Sequence, residues 1–145
     1  MRSFTYGIHI DRTPETVWNF ILDFSKASRW RNLIRTIEVL TPGPLRTGSE
    51  LKVTYDAMGQ TRRTISDVWA FEPGRRLGTR NTEENVTGVF EYRLEPERDG
   101  TQVTFTCDVQ PHGFMWLMLP FLLHGSRLRF SEQLVNLKKE VEKSR

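Results

Sequence analysis

From residue 51 to residue 109, apolar and polar residues take turns in one segment after another, and turn signals separate the segments. Leu51, Val53, Tyr55 and Ala57 alternate with Lys52, Thr54 and Asp56, and Gly59 with Gln60 forms a turn. Residues 62–71 read as the partner strand, which stops at Glu72, Pro73 and Gly74. Leu77, Thr79 and Asn81 alternate weakly; Gly88, Phe90, Tyr92 and Leu94 alternate with Val89, Glu91 and Arg93. After the hairpin signal Arg98, Asp99, Gly100 comes a last alternation, Thr101, Val103, Phe105, Cys107 and Val109. A period of two marks a strand with one buried face. Strands at hairpin spacing pair antiparallel, because parallel pairing needs long crossovers. The chain is therefore predicted to build one curved antiparallel sheet with one apolar side.

Two shorter alternations precede this train. Phe4, Tyr6, Ile8 and Ile10 predict a first strand, and Ile37 with Val39 leads into the breaker Thr41, Pro42, Gly43, Pro44. Between them Thr13 suits an N-cap and Pro14 a first helical turn, with Val17, Phe20 and Ile21 as the apolar side and Asp23 as the end. Residues 25–30 predict a second short helix with Ser25 capping.

An apolar sheet face needs a cover. Residues 114–143 carry a helical pattern, with Phe130, Leu134, Leu137 and Val141 on one stripe and Glu132, Lys138, Lys139, Glu142 and Lys143 on the other faces. Pro120 predicts a kink or the end of a short first segment, and Gly125 loosens the same region. A curved sheet and a single helix leave a hollow wherever their side chains do not meet.

The 145 residues fit one domain, 1–145, and are enough to bury a real core. One cysteine, Cys107, excludes an internal disulfide and a cysteine-based zinc site. No His pair has ligand spacing, so neither metal nor cofactor is expected. The opening residues lack an export signal, and the longest apolar run, 114–123, is too short to span a membrane. A soluble, cytoplasmic protein is the expectation. The 21 Lys and Arg are diluted by 18 Asp and Glu. The clusters Arg29, Arg31, Arg35, then Arg62, Arg63, then Arg75, Arg76 lack interleaved aromatics, so they read as solvated surface with no nucleic-acid partner.

Several stretches together resemble one superfamily. They are Ile8, Ile10, Pro14, Glu15, Val17, Trp18, Ile21 and Asp23, followed by Trp30; Gly48 with Ser49; 71–77, Phe-Glu-Pro-Gly-Arg-Arg-Leu; Gly100, Thr101, Val103, Thr104 and Phe105; and Leu134, Asn136, Leu137, Lys138, Val141 and Glu142. This pattern is similar to the SRPBCC superfamily, which includes START lipid-transfer proteins, plant pathogenesis-related ligand binders and polyketide cyclase/dehydrase-like proteins. The resemblance covers nearly the whole chain. It implies an α+β helix-grip fold: a sheet of about seven strands wrapped around a long C-terminal helix, two short helices after the first strand, and an apolar cavity between sheet and helix.

In such a grip the ligand-facing candidates are Tyr55, Phe90, Tyr92, Phe105 and Cys107 from the strands and Met115, Met118, Leu119, Leu122 and Phe130 from the helix, with Trp30 at the mouth. The alternative is that these side chains interdigitate and leave no void. If Ile65, Asp67, Trp69 and Phe71 face inward, Trp69 joins the ligand-binding set and Asp67 becomes a desolvated acid or base. If Val68 and Ala70 face inward, Asp67 is solvated, the reading the pattern favours; a shift of one residue decides. Tyr55 and Tyr92 fit either a hydrogen bond to a ligand carbonyl or a core role. His124 fits a proton shuttle or a helix surface, His9 lies on an outer face, and Cys107 reads as a small core residue. The run 114–123 is apolar all round, which suits a gate, a floor under the sheet, a homodimer contact or a transient membrane contact.

These observations support first the binding of a hydrophobic or aromatic small molecule, such as a lipid, polyketide or isoprenoid. The second reading is a cofactor-independent polyketide cyclase/dehydrase-like enzyme using Asp67, His124, Tyr55 or Tyr92 for proton transfer. The third is a partner-binding module that docks through 114–123.

Overall fold

In the computed structural model, Thr13 caps the first helix as its side chain predicts: its hydroxyl accepts from the Thr16 amide at 3.3 Å, and Asp23 closes the other end. The structure describes residues 2–57, 59–83, 86–111 and 119–143, with side chains described for 4–56, 59–83, 86–110 and 131–143. The elements run β1 (Arg2–Ile10), α1 (Pro14–Leu22), a 3-10 turn (Phe24–Lys26), α2 (Ala27–Trp30), β2 (Ile34–Val39), β3 (Glu50–Ala57), β4 (Gln60–Glu72), β5 (Arg76–Thr82), β6 (Val86–Glu97), β7 (Gly100–Pro111) and α3 (Leu119–Lys143). The second short helix is thus split. Ser25 does not cap it; its hydroxyl donates to Asp23 at 2.5 Å instead. Pro120 is the second described residue of α3, and the residues before Leu119 lie outside the described ones.

The seven strands form one sheet in the order β1-β7-β6-β5-β4-β3-β2, antiparallel throughout. Every hairpin from β3 onward pairs with its sequence neighbour, and β7 returns to pair with β1. The β4–β5 turn uses Gly74 at φ +77°, a conformation that side-chain-bearing residues rarely adopt.

Register sets the inner face. Phe4, Cys107 and Phe90 lie side by side across β1, β7 and β6; Tyr6, Phe105 and Tyr92 form the next row, and Ile8, Val103 and Leu94 the next. Tyr92 and Phe105 rings are 4.7 Å apart. Leu134, Leu137 and Val141 of α3 are buried in the same core cluster, as their stripe predicts. Burying side chains of this size stabilises by about 1.5–3 kcal/mol each, which is what holds helix to sheet.

The pairing departs from this order in β2, between Ile34 and Thr36, and in β4. The pairing of β4 with β5 slips between Val68 and Ala70. Upstream of the slip, Thr64, Ser66 and Val68 are buried on the inner face. Downstream, Phe71 pairs with the buried Leu77 and lies 5.7 Å from the Trp18 ring. A bulge of this kind places one extra residue in a strand and shifts its alternation. The extra side chain is Trp69, which covers Gly78; a Cβ on Gly78 would fall 2.5 Å from the indole. Arg76 lies over the other part of that indole at 4.9 Å.

Candidate functional site

A hollow of about 130 Å³ lies between the sheet and α3. Ile34 and Ile37 of β2, Leu51 and Val53 of β3, Phe90 of β6 and Phe105 of β7 supply its apolar wall. Ser66 of β4, Thr79 and Asn81 of β5 and Tyr92 of β6 supply hydroxyls and an amide from the sheet; Arg31 and Asn32 of the α2–β2 loop and Gln133 of α3 supply polar groups from the helix side. The polar groups are largely engaged with one another. Ser66 donates to the Asn81 side-chain carbonyl across β4 and β5. Gln133 on α3 donates its amide to the Tyr92 hydroxyl at 2.6 Å, deep in the core. Asn32 donates to Glu132 at 3.3 Å and accepts from Asn136 at 3.4 Å, which ties the α2–β2 loop to α3.

An apolar cavity of about 150 Å³ is known to hold benzene. The hollow is therefore sized for a guest of about one ring, below the roughly 300–1,000 Å³ of drug-sized pockets. Burial pushes the Tyr92 hydroxyl's pKa up, with the nearby Arg31 charge and the Gln133 hydrogen bond acting the other way. Tyr92 therefore stays protonated at neutral pH and can only donate to, or accept from, a guest as a neutral phenol. Cys107 is fully buried and its thiol is pushed up to about 12, chiefly by burial. It sits in the core as a small hydrophobe and is not a thiolate nucleophile.

Of the expected ligand-facing residues, Phe90, Tyr92 and Phe105 line the hollow. Trp30 does not stand at the mouth; it is buried behind Tyr92, edge-on at 5.7 Å. Tyr55 is half-buried and donates to Glu83, just past the end of β5, at 2.5 Å; burial first, and that carboxylate second, push its pKa up to about 12. Trp69 and Asp67 are on the outer face. The bulge puts Trp69 over Gly78, and Asp67 pairs with Arg80 at 3.0 Å, opposite it in the register. Asp67 is thus a solvated partner in an ion pair and not a carboxylate among aromatics. Met115 and Met118 lie outside the described residues, as do the side chains of Leu119, Leu122, His124 and Phe130; of the run 114–123 only the backbone of 119–123 is described.

Sequence reasoning missed Arg31, Ser66, Thr79, Asn81 and Gln133. Ser66 was legible in principle, since Thr64, Ser66 and Val68 keep one phase. Arg31 was not, because it sits among arginines that read as surface. Among the described residues no group of His, Cys, Asp and Glu is placed to hold a metal, and no helix is long and apolar enough to cross a membrane.

Residues 1–142 match the family described as polyketide cyclase / dehydrase and lipid transport. No curated protein matches the chain significantly. Among solved structures, a protein of Thermus thermophilus superposes with a TM-score of 0.79 at 17% identity, covering 97% of each chain. A START superfamily protein from Mycobacterium smegmatis gives 0.79 at 16% identity, again over 97% of each chain. The ZhuI aromatase/cyclase of Streptomyces sp. R1128 gives 0.77 at 17% identity, over 98% of this chain and 94% of that one. At these identities the likeness is one of fold, the helix-grip architecture.

Proposed function

The chain belongs to the polyketide cyclase/dehydrase and lipid transport family, and on that premise we propose that it binds a small hydrophobic or aromatic molecule in the hollow between sheet and α3. The observation that carries this reading is the wall itself. Ile34, Ile37, Leu51, Val53, Phe90 and Phe105 line unfilled space beside the buried cluster that holds Val103, Leu94, Leu134, Leu137 and Val141. Empty apolar space costs stability in proportion to its volume, so a fold that keeps it forgoes packing contacts that a guest restores.

Toluene tests the reading. Saturable binding, followed by amide chemical shifts of Val53 and Phe105 and by thermal stabilisation, is the expected result. At ten times its Kd, a ligand raises stability by about 1.4 kcal/mol. Absence of saturable binding by both toluene and xenon overturns the reading. Native mass spectrometry of protein from its own host then identifies the retained guest.

Cyclase-type catalysis is the second reading, favoured by the Tyr92 hydroxyl that Gln133 holds at the wall. That hydroxyl can polarise a carbonyl. Proton abstraction needs a base as well, and among the described residues no carboxylate or imidazole lines the hollow. Binding is therefore the primary reading.

A further inference from the structure

Arg31 is the one cation in the wall of the hollow among the described residues. Its backbone is fixed from both sides. The Arg31 amide donates to Ala27 at 2.9 Å, its carbonyl accepts from Ile34 at 3.4 Å, and the Leu33 carbonyl accepts from Asp56 of β3 at 2.8 Å. Leu33 is held at φ +70°, a left-handed conformation that costs a leucine free energy and persists only where the surroundings impose it. The guanidinium lies 4.6 Å from the Trp30 ring and 5.4 Å from the Tyr92 ring. Aromatic faces hold a guanidinium by its own faces and leave its N–H edges free.

Among the described residues, those edges lack an anion. Arg35 has Asp56, Arg80 has Asp67, and Arg76 and Arg93 share Glu91. No ion pair among the described residues includes Arg31, and its Nε is buried without a hydrogen-bond partner. Glu132, on the facing turn of α3, is bonded to Asn32 instead. The stretch 112–130 contains no Asp or Glu. Next to the guanidinium, the Tyr92 oxygen accepts from Gln133, so its own hydrogen remains available to a guest.

We propose that the guest of the hollow carries a carboxylate. Arg31 takes that group through its planar fork, the Tyr92 hydroxyl adds a donor, and the apolar body lies among Ile37, Leu51, Val53 and Phe105. This deepens the ligand-binding reading and rests on it. A charge-assisted pair in a partly buried site is stronger than its neutral counterpart, enough to give about tenfold in affinity.

The test compares benzoate with benzamide, similar in shape and different in charge, and uses toluene as the apolar reference. In the wild-type protein, benzoate is expected to bind about tenfold tighter than benzamide. Arg31→Gln brings the two within about twofold, and toluene affinity measured on the same variant separates loss of the charge contact from any change in the hollow itself. Arg31→Lys keeps the charge without the fork and retains part of the preference. Benzoate no tighter than benzamide in the wild type, which needs no variant, overturns the inference while toluene binding leaves the parent reading standing. A preference undiminished in Arg31→Gln also overturns it. Absence of binding by toluene, xenon and benzoate alike in the wild type overturns both.

Discussion

The inner face of this sheet has two halves that differ in what they tolerate. On β1, β7 and β6 this face is mostly apolar and buried in one cluster with Leu134, Leu137 and Val141, and only Phe90, Tyr92 and Phe105 of these strands reach the hollow. On β4 and β5 the same face carries Thr64, Ser66, Thr79 and Asn81, and there the hollow opens. A hydroxyl pressed against a leucine stripe is desolvated without recompense. A hydroxyl beside open space can bond across strands, as Ser66 does to Asn81, or to a guest. Polar side chains at inward positions therefore mark where the helix ceases to fill the grip.

The largest expected effect lies in the packed half. Leu137 has 0% exposure, and Leu137→Ala is expected to destabilise by about 2–5 kcal/mol in urea unfolding. A loss below about 1 kcal/mol would erase the contrast between the halves. Next, the same enlargement in each half sharpens it. Val103→Phe overpacks a filled row and is expected to cost about 1–3 kcal/mol. Val53→Phe places its ring in the hollow, is expected to change stability by less than about 1 kcal/mol, and blocks toluene. Equal costs for the two would mean that the hollow is no looser than the core.

The smallest effect concerns the outer face. Burial raises the Glu91 pKa, but hydrogen bonds from Arg93 and from Arg76 outweigh it, and the group is held below the usual glutamate range. The folded state thus favours the ionised form. Its stabilisation is present above the unfolded glutamate pKa, near about 4.3, and is lost as pH falls through the lower folded value. Glu91→Gln is expected to lower stability by about 1 kcal/mol at pH 7 and to flatten its fall below about pH 4.3. The toluene response at neutral pH should not change, since Glu91 faces away from the hollow.

Much of the architecture was legible because it depends on local periods. The alternation from Thr101 to Val109, the stripe Leu134, Leu137, Val141 and the turn at Pro73 and Gly74 each state their geometry within a few residues. The site was legible only in part. Phe90, Tyr92 and Phe105 lie on an apolar alternation that leads inward. Asp67 and Trp69 could not be placed by alternation, because a one-residue slip before Ala70 is invisible in a pattern that reads well in either phase. Arg31 was hidden for a different reason. Nothing beside it in the chain distinguishes it from Arg29 or Arg35; Tyr92, 61 positions later, supplies the second ring that claims it.

The slip in β4 also divides responsibility along a single strand. Upstream of it, Ser66 lines the hollow; downstream, Phe71 packs against Trp18. The hollow's polar wall and the anchor at Phe71 thus sit on one strand, in stretches that the added residue lets face inward independently.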